Sequence, residues 1–287
     1  MTNEVFRKGI EIDYNNSNLF LNAMYKTAAG RFLLQPFTAV SVSKLARLFL
    51  NSRLSLPLVD RYIKKYDIDL TYCEKKSFSS FNDFFTRKLK REARPFSDED
   101  NKLCSPCDSK LTVYKIDEDS VFDIKDVSYT VAELLRSNKL AEKYKNGWCF
   151  IYRLEPNNYH RYAYIDNGVK TKNFYIGGML HTVQPIAINR VKVFRQNCRE
   201  FSLLRTENFG DVIQIEVGAL FVGKISNHHE KAKFKRGMEK GMFEFGGSTI
   251  IQLFEEGKVS PDSDILMNTI DEKETPIVMG EVIGYKL

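Results

Sequence analysis

The stretch Asn208-Phe-Gly-Asp-Val-Ile-Gln-Ile-Glu-Val217 decides the fold. Ile213, Ile215 and Val217 alternate with Gln214 and Glu216, the period of two that a strand with unlike faces requires. Asn208 to Asp211 reads as the turn that feeds this strand. Working outward, strand-like runs recur at 149–154, 169–176, 199–206, 220–226, 231–235 and 248–254, with no helical pattern between them. Such spacing predicts antiparallel pairing rather than alternating strands and crossover helices.

Before residue 149 the period changes. Val42, Leu45, Ala46 and Phe49 fall at helical spacing within an apolar region from Leu19 to Leu54, and Pro36 divides that region into two helices. Ser80-x-x-Asp83 is a capping-box-like start for a further helix carrying Phe81, Phe84, Phe85 and Leu89 on one face, with a basic exit through Arg87, Lys88, Lys90, Arg91 and Arg94. Thr130 with Glu133 opens a shorter one. The expected architecture is α+β: a mostly antiparallel β core, helices gathered at the N-terminal end, and a loop from Gly257 to Glu274.

With 287 residues, 43% of them hydrophobic and 28% charged, the chain can bury a sizeable core, and collagen-like or disordered classes are excluded. Arg31, Lys44 and Arg47 interrupt the most apolar region, so no spanning helix is expected. The net charge of +6 suits a partner bearing phosphate, either nucleic acid or an anionic lipid surface. Nucleic acid is the poorer choice, because Phe81, Phe84 and Phe85 read as core rather than as a stacking platform beside the basic run. The Leu19–Leu54 helices suit either the core or a lipid interface, since both share one periodicity. Five cysteines without framework spacing, and acidic Glu4 close to Met1, favour a reducing cytoplasmic setting. Cys104-Ser-Pro-Cys107 lacks a second ligand pair, and no metal is expected.

Only four histidines offer a base of near-neutral pKa. His228 and His229 sit in a polar turn and read as surface. His160, in a polar break after the 149–154 run, is the better candidate. Gly246 and Gly247 before Ser248 permit unusual backbone geometry, and the pattern alone reads as a hairpin turn or bulge.

Taken together, Phe81-Asn-Asp-Phe-Phe-Thr-Arg-Lys-Leu through Arg94-Pro95, Ser105-Pro-Cys-Asp108, Leu154-Glu-Pro-Asn-Asn-Tyr-His-Arg, Val217-Gly-Ala-Leu-Phe-Val-Gly and Gly237 through Thr249 resemble phosphatidylserine decarboxylase in its shorter bacterial form. The resemblance implies an N-terminal helical, membrane-docking segment at residues 1–75 and a catalytic β-rich domain at 76–287. It implies that Ser248 attacks the carbonyl of Gly247 and that the chain divides into a β chain (1–247) and an α chain (248–287), which stay together as a heterodimer. The α chain would begin with a pyruvoyl group, a covalent cofactor that forms a Schiff base with phosphatidylserine and yields phosphatidylethanolamine and carbon dioxide. Asp108 is thereby assigned to the processing relay and His160 to decarboxylation.

Many members carry a second histidine three residues after the first, where this chain has Ala163, and Ser109 replaces a common glycine. An alanine accepts no proton. Either His160 performs both tasks, or His181 supplies the missing imidazole, or cleavage is slow or absent, which would make the chain a processing-defective homologue that binds lipid surfaces. The implied setting is peripheral, on the cytoplasmic side of the cell membrane, with homo-oligomerisation left open.

Overall fold

The computed structural model describes residues 6–12, 40–124, 127–188, 192–219, 224–245 and 248–287. Every ladder between strands in this set is antiparallel, as the spacing predicts. The 213–217 alternation lies in the strand Asp211–Gly218, entered through a turn where Phe209 N–H donates to Thr206 Oγ1 and Gly210 takes a φ of +74°. Strands Arg199–Thr206 and Ser248–Phe254 match their expected bounds, whereas the run at 169–176 is two strands, Gly168–Lys170 and Phe174–Ile176. Of the 220–226 run, 220–223 lie outside the described residues, and the strand seen is Ile225–Asn227.

Ser248–Phe254 lies inside the largest sheet, between Trp148–Leu154 and Asp211–Gly218. Its neighbours continue through Ser109–Lys115 on one side and Arg199–Thr206 on the other. Alternation in this sheet separates two interiors rather than core from solvent. Ile213, Ile215, Val217, Ile251 and Leu253 face a cluster closed by Phe122, Tyr129, Leu134 and Phe194. The opposite face carries Phe150, Tyr152, Leu154 and Ile250 against Tyr162 and Phe243 of a three-stranded sheet.

Gln214 and Glu216 lie on that second face and are fully buried. Their polar groups are satisfied in a line across the strands: Tyr152 Oη donates to Gln252 (2.9 Å), Gln252 to Gln214 (2.9 Å) and Gln214 to Glu216 (2.8 Å). Lys240 Nζ closes the line on Glu216 (2.7 Å) and Asn227 (2.8 Å), with neither charged side chain exposed. Buried charges persist only when paired in this way.

The helix expected after Ser80 is real but short. Ser80 caps it by accepting from Asp83 N–H (3.2 Å), and it spans only Phe81–Phe85. Leu89 is therefore not on its face and instead bridges Cys73 in extended backbone. The helix Val131–Leu135 starts at Thr130 as the pattern indicates. The stretch from Gly257 to Glu274 is not a loop: it holds strand Val259–Pro261, helix Ser263–Ile270 and the start of strand Lys273–Ile277. Of its apolar residues Val259 and Ile265 are buried while Met267 and Ile270 are exposed, so two anchors suffice where no periodicity is visible.

Of the region from Leu19 to Leu54, residues 19–39, with Pro36 and the first helix, lie outside the described residues. Helix Val40–Leu50 is present, and no helix among the described residues is long and apolar enough to cross a membrane. Leu50 joins Val59, Ile68, Phe81, Phe84 and Phe85 in a third cluster, but Leu45 and Leu48 are each 68% exposed and Phe49 is exposed too. Within the first 75 residues Ile10–Glu11 is a strand, paired with Lys273–Ile277 on the large sheet.

Removing one partner of the buried Lys240–Glu216 pair strands a charge, so Lys240→Met should cost about 3–5 kcal/mol in chemical denaturation. Adding Glu216→Gln, which removes the stranded charge but keeps an acceptor, should recover part of that loss; a double variant as unstable as the sum of the singles contradicts the pairing.

Candidate active site

Ser248 is the first residue of its strand, opposite Gly218 on one side and Leu154 on the other. It is fully buried, and its Oγ makes no hydrogen bond among the described residues. A buried hydroxyl without a partner costs about 1–3 kcal/mol, which marks it for explanation. Gly247, expected as its cleavage partner, lies outside the described residues.

After Leu154 the chain turns through Glu155 to Asn158, held by Glu155 N–H donating to Asn158 Oδ1 (2.7 Å) and Asn158 N–H to the Glu155 carbonyl (3.0 Å). His160 follows, fully buried, its ring 4.0 Å from that of Phe85. Its Nδ1 lies 2.9 Å from the Asn158 carbonyl. A carbonyl only accepts, so Nδ1 carries the ring proton and Nε2 presents its lone pair. Nε2 is buried with no partner among the described residues. Burial, reinforced by the Arg87 charge and partly offset by the Asn158 bond, pulls the imidazole pKa down to about 3.

The segment leading to Ser248 is stitched to the same place. Phe243 N–H donates to the His160 carbonyl (2.9 Å), Phe245 N–H to Asn82 Oδ1 (3.1 Å), and the Phe245 ring packs on Phe81 and Phe85. The helix Phe81–Phe85 therefore backs both His160 and the approach to Ser248.

Asp108 stands just before the strand Ser109–Lys115, and among the described residues its carboxylate makes no hydrogen bond to an imidazole. It accepts from Arg94 Nε (2.7 Å) and Nη2 (2.5 Å) and from Met279 N–H (2.8 Å). Arg94, Met279 and Ala163 line one pocket of about 440 Å³, and Ala163 N–H donates to the carbonyl of Pro106, two residues before Asp108. The position of the absent second histidine thus adjoins Asp108.

His181 reaches the Ser248 strand indirectly. Its N–H donates to Asn197 Oδ1 (3.0 Å), while Asn197 Nδ2 donates to the His181 carbonyl (2.8 Å) and to the carbonyl of Gly218 (2.8 Å), the residue opposite Ser248. Burial lowers the His181 pKa, against a raising hydrogen bond with Gln196. His228 is exposed and pairs with Glu239 (2.5 Å), as expected of a surface residue. Asn197, Arg94 and Asn158 were not legible as site residues: each acts through contacts made only on folding, Asn197 and Asn158 with backbone groups and Arg94 with the Asp108 carboxylate.

Residues 81–285 match the family model described as phosphatidylserine decarboxylase. The chain belongs to this family. It is 50% identical over 275 residues to phosphatidylserine decarboxylase proenzyme 2 of Clostridium acetobutylicum, covering 96% of this chain and 94% of the relative. A phosphatidylserine decarboxylase proenzyme of Clostridium botulinum (strain Kyoto / Type A2) is 41% identical (93% and 92% covered), and one of Clostridium tetani 40% (97% and 96%). The fold is the expected antiparallel α+β core, and among the described residues the motif blocks supply the helix Phe81–Phe85, Asp108, His160 and Ser248.

Because the folded pKa of His160 lies below its ordinary 6.5, its contribution to stability is complete above about 6.5 and is lost as pH falls toward 3. Its ring resonances should therefore show no titration between about pH 5 and 8 in NMR of the folded protein; a midpoint near 6.5 contradicts this burial.

Proposed function

We propose that the chain is a self-processing phosphatidylserine decarboxylase, releasing carbon dioxide from phosphatidylserine to give phosphatidylethanolamine, with a pyruvoyl group made from Ser248. The observation that carries this reading is a pair of buried atoms at one end of the central sheet that have no partner among the described residues: a nucleophile without an acceptor at Ser248 Oγ and a base without a donor at His160 Nε2. Serine nucleophiles need such a base, and the base needs an orienting partner, here the Asn158 carbonyl.

In the processing step Ser248 Oγ gives up its proton and bonds the carbonyl carbon of Gly247 while the C–N bond breaks onto the amine. Loss of the Ser248 Cα proton then expels the Gly247 carboxylate, and one water replaces the nitrogen, which leaves as ammonia. His160 serves as the proton acceptor at Oγ. Depressed basicity makes it a weak one, each pKa unit below the ordinary value costing about 1.4 kcal/mol, so slow cleavage is expected. His181, tied to Gly218 through Asn197, is the reserve imidazole on the other side of Ser248. Asp108 fixes the wall beside Ala163 through Arg94.

The pyruvoyl carbonyl supplies an electron sink for the pair released with carbon dioxide. Residues 248–287 hold strand partners on both sides of Ser248–Phe254, which supports a β chain (1–247) and an α chain (248–287) remaining as a heterodimer. Lipid access is supported by exposed Leu45, Leu48, Phe49 and Leu54 beside Arg47 and Arg53, an apolar face rimmed by cations. That face joins the site through Asn82, which donates to Asn51 (3.0 Å) and accepts from Phe245. On this reading the protein sits peripherally on the cytoplasmic side of the cell membrane, with residues 1–75 as the docking part and 76–287 as the catalytic part.

On a denaturing gel the purified protein should divide at residue 248, Ser248→Ala should stay whole and release no carbon dioxide, and His160→Ala should slow cleavage at least about a hundredfold, more than His181→Ala. An uncut wild-type chain that binds phosphatidylserine vesicles without turnover would replace this reading with the processing-defective lipid binder that Ala163 suggests.

A further inference from the structure

Arg87 is the most deeply buried cation of the basic run, 6% exposed. Its carbonyl and that of Thr86 accept from Arg161 Nε (3.3 and 2.9 Å), which fixes the backbone against the segment that carries His160. The guanidinium lies over the Phe84 ring at 5.4 Å. Nη2 reaches the carbonyls of Asn157 and Asn158 only at 3.4 and 3.5 Å, and Nε and Nη1 have no partner among the described residues. The Cys73 thiol is close, but burial raises its pKa and it supplies no counter-charge. No ion pair of Arg87 with a carboxylate is present among the described residues.

A buried guanidinium with two nitrogens unpaired and no carboxylate in ion-pair contact among the described residues is costly unless something outside the chain completes it. Building on the proposed reaction, we infer that Arg87 binds the phosphodiester oxyanion of the lipid headgroup, holding the substrate beside His160. The substrate carries a second oxyanion, its carboxylate, but a cation placed there would stabilise the charge that must depart as carbon dioxide forms. The phosphodiester keeps its charge from substrate to product and remains a counter-ion throughout. Phosphate is also drawn to this side by Lys90, Arg91 and Lys235, which line the adjoining pocket and have no ion pair among the described residues. Occupation of Arg87 has a chemical consequence as well: it neutralises the charge that opposes protonation of His160.

Three measurements on the processed enzyme test this, with phosphatidylserine in mixed micelles as substrate and glycerophosphoethanolamine, a phosphodiester without carboxylate, as probe. Arg87→Gln should raise KM about tenfold or more with kcat changed less than about threefold, and should weaken probe binding in the same proportion, with Arg87→Lys recovering part of both. In the unmutated enzyme, saturating probe should shift the Arg87 Nε–H resonance and the His160 ring resonances; no shift overturns the inference whatever the variants do. A raised KM with unchanged probe binding assigns Arg87 to the carboxylate and overturns it too. Inorganic phosphate binding as tightly as the probe, with KM unmoved, makes this a free-phosphate site and rejects the headgroup. Loss of self-cleavage in both variants at unchanged thermal stability places Arg87 in processing instead, which is equally fatal. Absence of carbon dioxide release by the unmutated enzyme refutes the proposed reaction separately, since probe binding is read without turnover.

Discussion

The hydroxyl of Ser248 is folded into the middle of a sheet, with a strand on either side and water excluded, and the arrangement around it follows from that confinement. Both edges of the Ser248–Phe254 strand are occupied, so the residues after Ser248 are held by main-chain bonds that a break before it would not touch. The turn after Leu154, which faces Ser248 across the ladder, delivers His160 to the same end of the sheet. The helix Phe81–Phe85 closes that end with aromatic rings. Low polarity there makes an unpaired hydroxyl and an unpaired imidazole costly in the resting chain, and the same low polarity strengthens any proton transfer partner that arrives.

Many polar groups on the Ser248 face are paired, Ser202 Oγ opposite Gln214 being an exception. The line from Tyr152 through Gln252, Gln214 and Glu216 to Lys240 leaves no side-chain atom in that series wanting. Among the buried atoms without partners, those of Ser248, His160 and Arg87 carry complementary chemistry, a hydroxyl, an imidazole and a guanidinium. Buried polar atoms are normally paired, so a group of exceptions of complementary chemistry points to reactions and ligands rather than to poor packing.

Much of this was legible in the sequence because strand signals are local. The 213–217 alternation, the Asn208–Asp211 turn and the Ser80 and Thr130 caps each depend on neighbours a few residues apart, and each is where the pattern puts it. What failed had nonlocal causes. Gln214 and Glu216 alternate with apolar neighbours, yet a second layer buries them as well; Leu89 reads as helical, yet it forms a bridge with Cys73. The 257–274 stretch hides a helix because only a few of its residues are apolar anchors. In the site, Ser248 and His160 were found through motif blocks, while the partner of Asp108 was not: an arginine fourteen residues earlier meets it only once both segments fold. Arg87 is the sharpest case, since a charge run gives no hint that one member points inward.

The central claim is that the bond before Ser248 breaks and leaves a ketone in place of an amine. Mass spectrometry of the small fragment reads this directly. A fragment beginning at residue 248 that is lighter by one ammonia than the seryl peptide, and that takes up hydride from borohydride, is the predicted result; a fragment beginning with unmodified serine, in a preparation that nonetheless turns over phosphatidylserine, would contradict the account.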